Sequence, residues 1–197
     1  MVARAQAAEL TGDKIFQAAH DLWGTNRFDE VTLQAVASRA GVTLQTVLRR
    51  FGSKEALFAA AAAHISEHIK KERVPSSSGP RAAVHALVAS YEGVADVNWN
   101  GLVQEDRFAF VHEQMEGART IHRTWLETAF ADALRGARGV ERRRRLDLLF
   151  CATDFYQWKL LRRDLGRSQA ETCKRMLEMV NALFFSFANG QSAGGES

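Results

Sequence analysis

Cysteine and proline are scarce in this chain of 197 residues, which contains two of each. Two cysteines are too few for a disulfide framework or a zinc site. Cys151 and Cys173 both lie in helix-like apolar stretches, so we expect reduced thiols in the core. Apolar residues make up 46% of the chain and charged residues 25%. These are the proportions of a soluble globular protein with a sizeable core.

Long apolar runs and strand patterns are also missing. No run approaches the ~20 apolar residues that span a membrane, and no charged-then-apolar leader opens the chain. The sequence therefore predicts no membrane partner and a cytoplasmic location. Neither alternating strands nor the Asn-Gly and Asp-Gly turns of β-hairpins occur. Apolar residues recur instead at helical spacing, as at Ile15, Ala18, Ala19 and Leu22, which predicts an all-α fold.

Catalytic and metal-binding motifs are weak or missing. The G-x-S-x-G pattern at Gly190–Gly194 lacks the strand and the helix that flank a hydrolase serine. His64 and His68 stand four residues apart, as paired metal ligands do, but no third ligand is near and a surface helix explains them. The chain has no G-x-G-x-x-G, no phosphate-binding loop and no H-E-x-x-H. The sequence predicts neither an enzyme nor a metal or cofactor.

Caps and glycines punctuate the predicted helices. Three residues, Thr32, Thr43 and Ser53, are placed to cap helices. Ser168–Glu171 matches a capping box, and Gly166 follows a basic helix end. Residues 75–80 are predicted to form a loop, and the tail from Asn189 to be disordered. The predicted helices, about nine in total, cover residues 13–23, 33–40, 44–51, 54–72, 81–94, 101–115, 118–135, 141–164 and 169–188.

One stretch has no acidic residue, between Glu30 and Glu55. Its basic residues are Arg39, Arg49, Arg50 and Lys54. The net charge of +3 does not by itself indicate nucleic-acid binding, whereas a cluster of one sign does. The run Arg142–Arg145 is interpreted as a solvated helix start, with a second nucleic-acid patch as the alternative.

Two short helices within this stretch, 33–40 and 44–51, are joined by Gly41-Val42-Thr43, which is typical of a helix-turn-helix. Gly41 permits the sharp turn, and Ala37 lets the helices approach. Val42, Val47 and Phe51 are expected to face the core. The residues then left outward are Thr43, Gln45, Thr46, Arg49 and Arg50. Their donors and acceptors suit base edges and phosphates, although a charged helix face is also often only solvated.

The stretch FDEVTLQAVASRAGVTLQTVLRRFGSKEALF, Phe28–Phe58, resembles the DNA-binding segment of TetR-family transcriptional regulators. The matching features are Thr32, Ala37-x-x-x-Gly41-Val42, Thr46, Arg49, Phe51 and Ser53-Lys54-Glu55-x-Leu57. The similarity extends more loosely along the chain, and Phe155–Gly166 resembles the stretch before the last helix of these regulators. It implies a helix-turn-helix domain at 1–56 and a larger helical ligand-binding and dimerisation domain at 57–189. A flexible tail is expected at 190–197.

The resemblance implies a repressor that binds a palindromic, double-stranded DNA operator as a homodimer and is released by a small ligand. Helix 44–51 is then the reading helix in the major groove. Phosphate contacts are expected from Thr32, Arg49 and Lys54. Base contacts are expected from Thr43, Leu44, Gln45, Thr46 and Arg50.

The C-terminal part is expected to hold the ligand and the dimer interface. Helix 141–164 is apolar on several sides and helix 169–188 carries an apolar stripe, so the last two helices are expected to pair between subunits. The effector is expected to be small and mostly apolar or aromatic. Its candidate contacts, each of which could instead be a core residue, are Tyr91, Trp99, Phe108, His112, Met115, Trp125, Phe155 and Trp158.

Two alternatives stay open at this point. One is an activator or dual regulator of the same fold. The other is a ligand-binding or interaction protein with weakened operator recognition. It rests on Leu44 and Leu48. The family usually has lysine, glycine and tyrosine where this chain has Leu44, Gln45 and Leu48.

Overall fold

A computed structural model describes residues 2–74 and 79–192 of the chain. These residues form helices and connections without a strand, which confirms the all-α prediction. The helices are α1 (Val2–Thr25), α2 (Leu33–Ala40), α3 (Leu44–Phe51), α4 (Lys54–Glu72), α5 (Pro80–Leu102), α6 (Ala109–Ala129), α7 (Ala131–Leu134), α8 (Gly139–Thr153), α9 (Phe155–Lys159), a π-helical turn (Leu160–Asp164) and α10 (Gln169–Ser192). Of the helices described, none is long and apolar enough to span a bilayer.

The chain divides into two compact units. The first unit comprises Met1–Ile69 and Val94–Ala118, and the second comprises Lys70–Gly93 and Arg119–Ser197. Helices α4, α5 and α6 each supply residues to both. A compact unit is defined by packing and a domain by function, so the domain limits 1–56, 57–189 and 190–197 stay predictions.

An aromatic cluster forms the core of the first unit. The ring of Phe28, in the connection after α1, lies 5.6 Å from that of Trp23 and 5.7 Å from that of Phe58. Phe108 and Phe110 cover the same ring at 5.7 and 5.2 Å. Burying each such side chain stabilises the fold by about 1.5–3 kcal/mol. This cluster fixes α1 and α4, and thereby the short helices between them.

The helix-turn-helix has the predicted caps. The hydroxyl of Thr32 accepts from the amide of Ala35 at the start of α2, and that of Thr43 accepts from Thr46 at the start of α3. Gly41 ends α2 with a φ of 69°, a left-handed conformation that only glycine adopts without strain. Val47 is fully buried on the inner side of α3. The turn and cap predictions are therefore confirmed.

Two of the predicted breaks do not exist. Helix α5 runs from Pro80 to Leu102 through the gap expected between residues 94 and 101, and α6 runs through the gap expected before residue 118. One polar residue in the first gap, Asn100, donates to the carbonyls of Trp23 and Asn26, so tertiary bonds hold the helix there. The exposed Gly117 of α6 weakens a helix by ~1 kcal/mol without ending it.

The predicted helix 141–164 is interrupted instead. Asp154 leaves the helical conformation, with a ψ of 157°, and its carboxylate accepts from the amide of Tyr156 to begin α9. The π-helical turn follows and Gly166, with a φ of 63°, lies beyond it. The predicted capping box is confirmed, because Ser168 and Glu171 each bond the other's backbone amide.

Three further predictions have mixed outcomes. Cys173 is buried as expected, but Cys151 is exposed on α8, so a core position was wrong for it. The solvated interpretation of Arg142–Arg145 was wrong for Arg145, which is buried. Helix α10 extends to Ser192, into the predicted tail, and residues 75–78 and 193–197 lie outside the described part.

Candidate nucleic-acid interface

The outward face of α3 carries Gln45, Leu48 and Arg49, all of which are exposed. Steps of three and four residues place these side chains together, opposite the buried Val47. Acidic residues are absent from this helix. The face therefore presents an amide, an alkyl group and a guanidinium to solvent, a combination suited to base edges and phosphates.

Two of the other predicted base contacts, Leu44 and Thr46, are turned partly inward. Leu44 is half-buried and packs against the core of the first unit. Thr46 is half-buried, and its hydroxyl lies 2.9 Å from that of Thr43. The Thr43 hydroxyl is also the cap of α3. These three side chains thus shape the start of the helix, and Gln45 presents an exposed amide beside them.

The basic residues of the acid-free stretch differ in their contacts. Arg39 donates to Asp21 at 2.8 Å, a hydrogen bond that lowers the pKa of this carboxyl. Lys54 donates to the carbonyl of Phe28 at 2.6 Å, and Arg50 lies so close to Gly12 that a Cβ there would meet it at 2.5 Å. Arg49 has no ion pair or hydrogen bond to any residue within the described ranges.

Leu48 is a member of this face that sequence reasoning did not include among the site residues. It is 37% exposed and stands between Gln45 and Arg49 on the helix surface. Helical spacing from Gln45 was the signal that could have identified it. The remaining predicted contact, Thr32, is exposed at the start of α2 and caps that helix.

A small apolar cavity lies in the first unit, partly open to solvent. Its volume is about 70 Å³, well below the ~300 Å³ of ordinary small-molecule pockets. Trp23 and Phe58 line it, and both belong to the core beneath the helix-turn-helix. The other lining residues are His20, Ala61, Ala62, Ile65, Val97, Phe110, Gln114 and Met115.

A polar network lies beside the cavity. The indole of Trp23 donates to the carbonyl of Val97 at 3.0 Å. Gln104 accepts from the amide of Phe28 at 2.8 Å and donates to the side chain of Asn100 at 2.7 Å. Asn100 in turn bonds the carbonyls at the end of α1. The network fixes the end of α1 against the last turns of α5.

Residues 15–61 match the family model for bacterial regulatory proteins of the TetR family. This segment contains α2, the turn and α3, the elements that form the exposed basic face. Residues 15–61 are a TetR-family DNA-binding domain.

The similarity to solved structures covers more of the chain than this TetR-family domain. A TetR-family protein from Rhodococcus sp. superposes with a TM-score of 0.70 at 12% identity, over 88% of this chain and 98% of its own. A TetR-family transcriptional regulator from Streptomyces coelicolor gives 0.68 at 16% identity, over 92% and 83%. A transcriptional regulator from Rhodococcus sp. Rha1 gives 0.68 at 17%, over 89% and 96%. At these identities the likeness shows the fold.

No protein of curated function matches the chain by sequence. The chain thus combines the TetR-family fold with the TetR-family DNA-binding domain, the fold and domain of a transcriptional regulator.

The predicted effector contacts are divided between the two units of this TetR-family fold, and their role stays a prediction. In the first unit, Met115 lines the cavity and Phe108 packs on Phe28, whereas His112 is exposed and Trp99 half-buried. In the second unit, ring contacts join Tyr91, Phe155 and Trp158, while Trp125 stacks on His122. Most of the cavity lining comes from α1 and α4, which the aromatic composition of the later helices did not indicate.

Proposed function

We propose that this protein is a transcriptional repressor that binds a partly palindromic DNA operator as a homodimer and is released by a small ligand. The observation that carries the proposal is the acid-free outward face of α3, where Gln45 and Arg49 are exposed above a buried Val47. We place this face in the major groove. The site of action is proposed to be the cytoplasm.

Phosphate contacts set the register of the complex. Arg49 supplies a guanidinium that is not engaged elsewhere in the described chain, and Thr32 and Lys54 stand at the starts of α2 and α4. Free amides and the positive end of a helix dipole favour a phosphate at such positions. The resulting affinity depends steeply on salt.

Base contacts supply the sequence preference. Gln45 projects an amide that can bond both N6 and N7 of adenine, and Leu48 offers an apolar contact to a thymine methyl group. Thr43, Leu44 and Thr46 complete the contact at the N-terminal end of α3. Arg50 takes part only by leaving its position beside Gly12.

Dimerisation is assigned to the end of the second unit. Phe185 of α10 is 72% exposed, Tyr156 of α9 is 51% exposed, and Leu160 of the π-helical turn is 43% exposed. Exposed large apolar groups on neighbouring elements mark protein interfaces. A homodimer that buries them presents two copies of α3, as a palindromic site requires.

Release by a ligand is assigned to the cavity in the first unit. A ligand that enlarges the cavity separates Trp23 and Phe58 from Val97 and Phe110, and so moves α1 and α4, which position α3. It must bind the moved state more tightly than the DNA-bound state, because an equal affinity shifts nothing. The cavity accepts a short alkyl chain or a similarly small apolar group.

Selection of bound duplexes from a random library at near-physiological salt tests the DNA-binding part. The expected result is an enriched sequence with two related half-sites. Gln45→Ala should then relax the preference at one or two base pairs, while the remaining positions stay selected. Failure of the folded dimer to enrich any sequence would reject the proposed function.

A larger side chain at Ala62, which lines the cavity, tests whether filling the cavity changes the affinity for the operator. Ala62→Leu should imitate a bound ligand and weaken operator binding, by roughly 5- to 150-fold if the coupling has the usual strength. The matched control is Ala63→Leu, because Ala63 is exposed on the same helix and outside the lining. Equal operator affinities of the two variants would contradict the assignment.

The sign of regulation is tested separately. Expression from a promoter that contains the selected operator should rise when the gene is deleted. A fall would identify an activator of the same fold.

A further inference from the structure

Gly12 stands in the middle of α1, although its backbone does not call for a glycine. It is not among the glycines of this chain that have a positive φ. Glycine is also one of the weakest helix formers, because it loses more conformational freedom on folding than alanine does. The residue is buried, so the reason for the missing side chain lies in what surrounds it.

The space beside Gly12 is filled by the guanidinium of Arg50. A Cβ on Gly12 would lie 2.5 Å from Nη2, 3.0 Å from Cζ and 3.4 Å from Nη1 of this arginine. Within the described part of the chain, these are the three atoms nearest to such a Cβ. The neighbouring acid, Asp13, lies 3.9 Å from His64 and is directed toward α4. The absence of a Cβ at Gly12 therefore makes a seat for the guanidinium on α1.

Aromatic rings hold α1 and α3 together at this seat. Phe16 follows Gly12 by one turn on the same face of α1, and its ring lies 5.7 Å from that of Phe51 on α3. The ring of Phe51 in turn lies 5.7 Å from the guanidinium carbon of Arg50. The seat is thus built by the two helices themselves, and its position relative to α3 is fixed by their packing.

Arg50 extends from the flank of α3. It follows the buried Val47 by three residues and the exposed Arg49 by one, so helical steps of 100° place it between the inner side and the outward face. Arg50 is exposed even in the seat. A helix that lies in the major groove reads base edges with its outward face and has the phosphate strands along its flanks. A guanidinium held on the flank meets phosphate oxygens.

We propose that Gly12 is a positioning residue, which seats the guanidinium of Arg50 for a contact with a phosphate at the edge of the major groove. Arg50 then binds phosphate from beside Gly12 and does not read a base. Fixing the long side chain before DNA arrives reduces the freedom that it loses on binding. This inference rests on the proposed function, because it concerns the same DNA-binding surface.

Gly12→Ala tests the seat, because the added methyl group displaces the guanidinium. The affinity for the selected operator and for an unrelated duplex should fall alike, by about 2- to 10-fold, the effect of fixing one long side chain. The slope of log affinity against log salt should shrink by up to about 1. The melting temperature without DNA should not fall, because alanine favours a helix and only the end of a flexible side chain has to move. Fluorescence anisotropy and thermal unfolding measure these quantities.

Gly117→Ala is the matched control. Gly117 lies in α6 of the same unit, and a Cβ there would meet no atom of the described residues within 4 Å. This variant should also keep or raise the melting temperature, but its affinity for DNA and its salt slope should equal those of the wild type. A fall in affinity with no loss of stability is therefore expected only at Gly12.

Arg50→Ala completes the comparison, and it keeps the test decisive if Gly12→Ala fails to fold, because it alters an exposed side chain. It should weaken binding to both duplexes and reduce the salt slope by about 1. Adding Gly12→Ala to it should change the affinity no further, because the seat then has nothing to hold. A further loss in the double variant would overturn the proposal. A changed preference at single base pairs in Arg50→Ala would do so too, since Arg50 would then read a base.

The wild-type protein separates this inference from the proposed function. If it selects no duplex from the random library, both are rejected. If it selects an operator and Gly12→Ala binds that operator with the wild-type affinity and salt slope, the seat alone is rejected.

Discussion

At the scale of single residues, Glu141 shows how a carboxylate can stabilise a buried cation. Hydrogen bonds from Arg144 and Arg145 lower the pKa of Glu141 from 4.5 to about 2. A carboxyl whose pKa is lower in the folded state stabilises the fold above its unfolded pKa, and loses this contribution as the pH falls through the folded one. The window for this group is therefore about pH 4.5 down to about pH 2.

We expect Glu141→Gln to lower the free energy of unfolding at neutral pH, because Arg145 stays buried without a charged partner. The difference from the wild type should shrink as the pH falls from 4.5 to about 2. Urea denaturation at several pH values measures it. Glu178→Gln is the control, since Glu178 pairs with an exposed arginine on α10. A difference that is constant with pH would contradict the assignment.

Arg49 and Gln45 should behave differently on DNA. Arg49→Ala should weaken binding to every duplex and reduce the slope of log affinity against log salt by about 1, as expected for one phosphate contact. Gln45→Ala should cost ~1–3 kcal/mol only at the base pair it reads. Fluorescence anisotropy at several salt concentrations measures both effects.

If Arg49→Ala and Gln45→Ala weaken binding equally on all DNA sequences, the assignment of a phosphate contact to Arg49 and a base contact to Gln45 is wrong. Arg81→Ala, which removes an exposed arginine of the second unit, is the control for net charge. Lys54→Ala would be less clear, because Lys54 also bonds the carbonyl of Phe28.

Single residues were predicted well where local chemistry decides their environment. The caps at Thr32 and Thr43 and the turn at Gly41 follow from the backbone bonds of neighbouring residues. Arg73 and Arg145 were not predicted as buried. Their burial depends on partners far away in the chain, such as Phe187 for Arg145, and helical spacing carries no record of these.

At the scale of elements, the positive φ of Gly41 separates a turn glycine from a helix glycine. We expect Gly41→Ala to lower the free energy of unfolding by ~1 kcal/mol, because the left-handed conformation strains a residue with a Cβ. The added methyl would meet no atom within 4 Å, so strain is the whole effect. Gly117→Ala, in the middle of α6 and equally free of contacts, should raise the free energy of unfolding by ~1 kcal/mol.

Denaturant melts of these two variants make the comparison. Shifts of the same sign would show that the conformation at Gly41 is not what the substitution disturbs.

Helix bounds were predicted best where both ends carry a local signal. Helices α2, α3 and α4 have the predicted limits. Capping side chains begin all three, glycines end α2 and α3, and two lysines stand in the last turn of α4. Helix α5 does not have its predicted limits, since its last turns are held by bonds from Asn100 to the end of α1. The cavity was unpredicted for the same reason: its walls come from four helices that only the tertiary fold brings together.

At the scale of the whole molecule, the exposed ring of Phe185 offers a direct test of the proposed dimer interface. We expect Phe185→Glu to halve the molar mass measured by light scattering, because a buried unpaired carboxylate opposes the interface. Affinity for a two-half-site operator should fall with it. Leu10→Glu, at a residue 63% exposed on α1, should leave the mass unchanged. A dimeric Phe185→Glu protein would place the interface elsewhere.

The DNA-binding unit is assembled from two segments of chain, Met1–Ile69 and Val94–Ala118, and this sets a schedule during translation. The helix-turn-helix leaves the ribosome before Gln104, Phe108 and Phe110, which bond or cover Phe28. Until those residues emerge, the unit lacks part of its core and exposes aromatic surface that invites aggregation. A nascent chain therefore acquires a finished DNA-reading surface only after the first turns of α6 have been made.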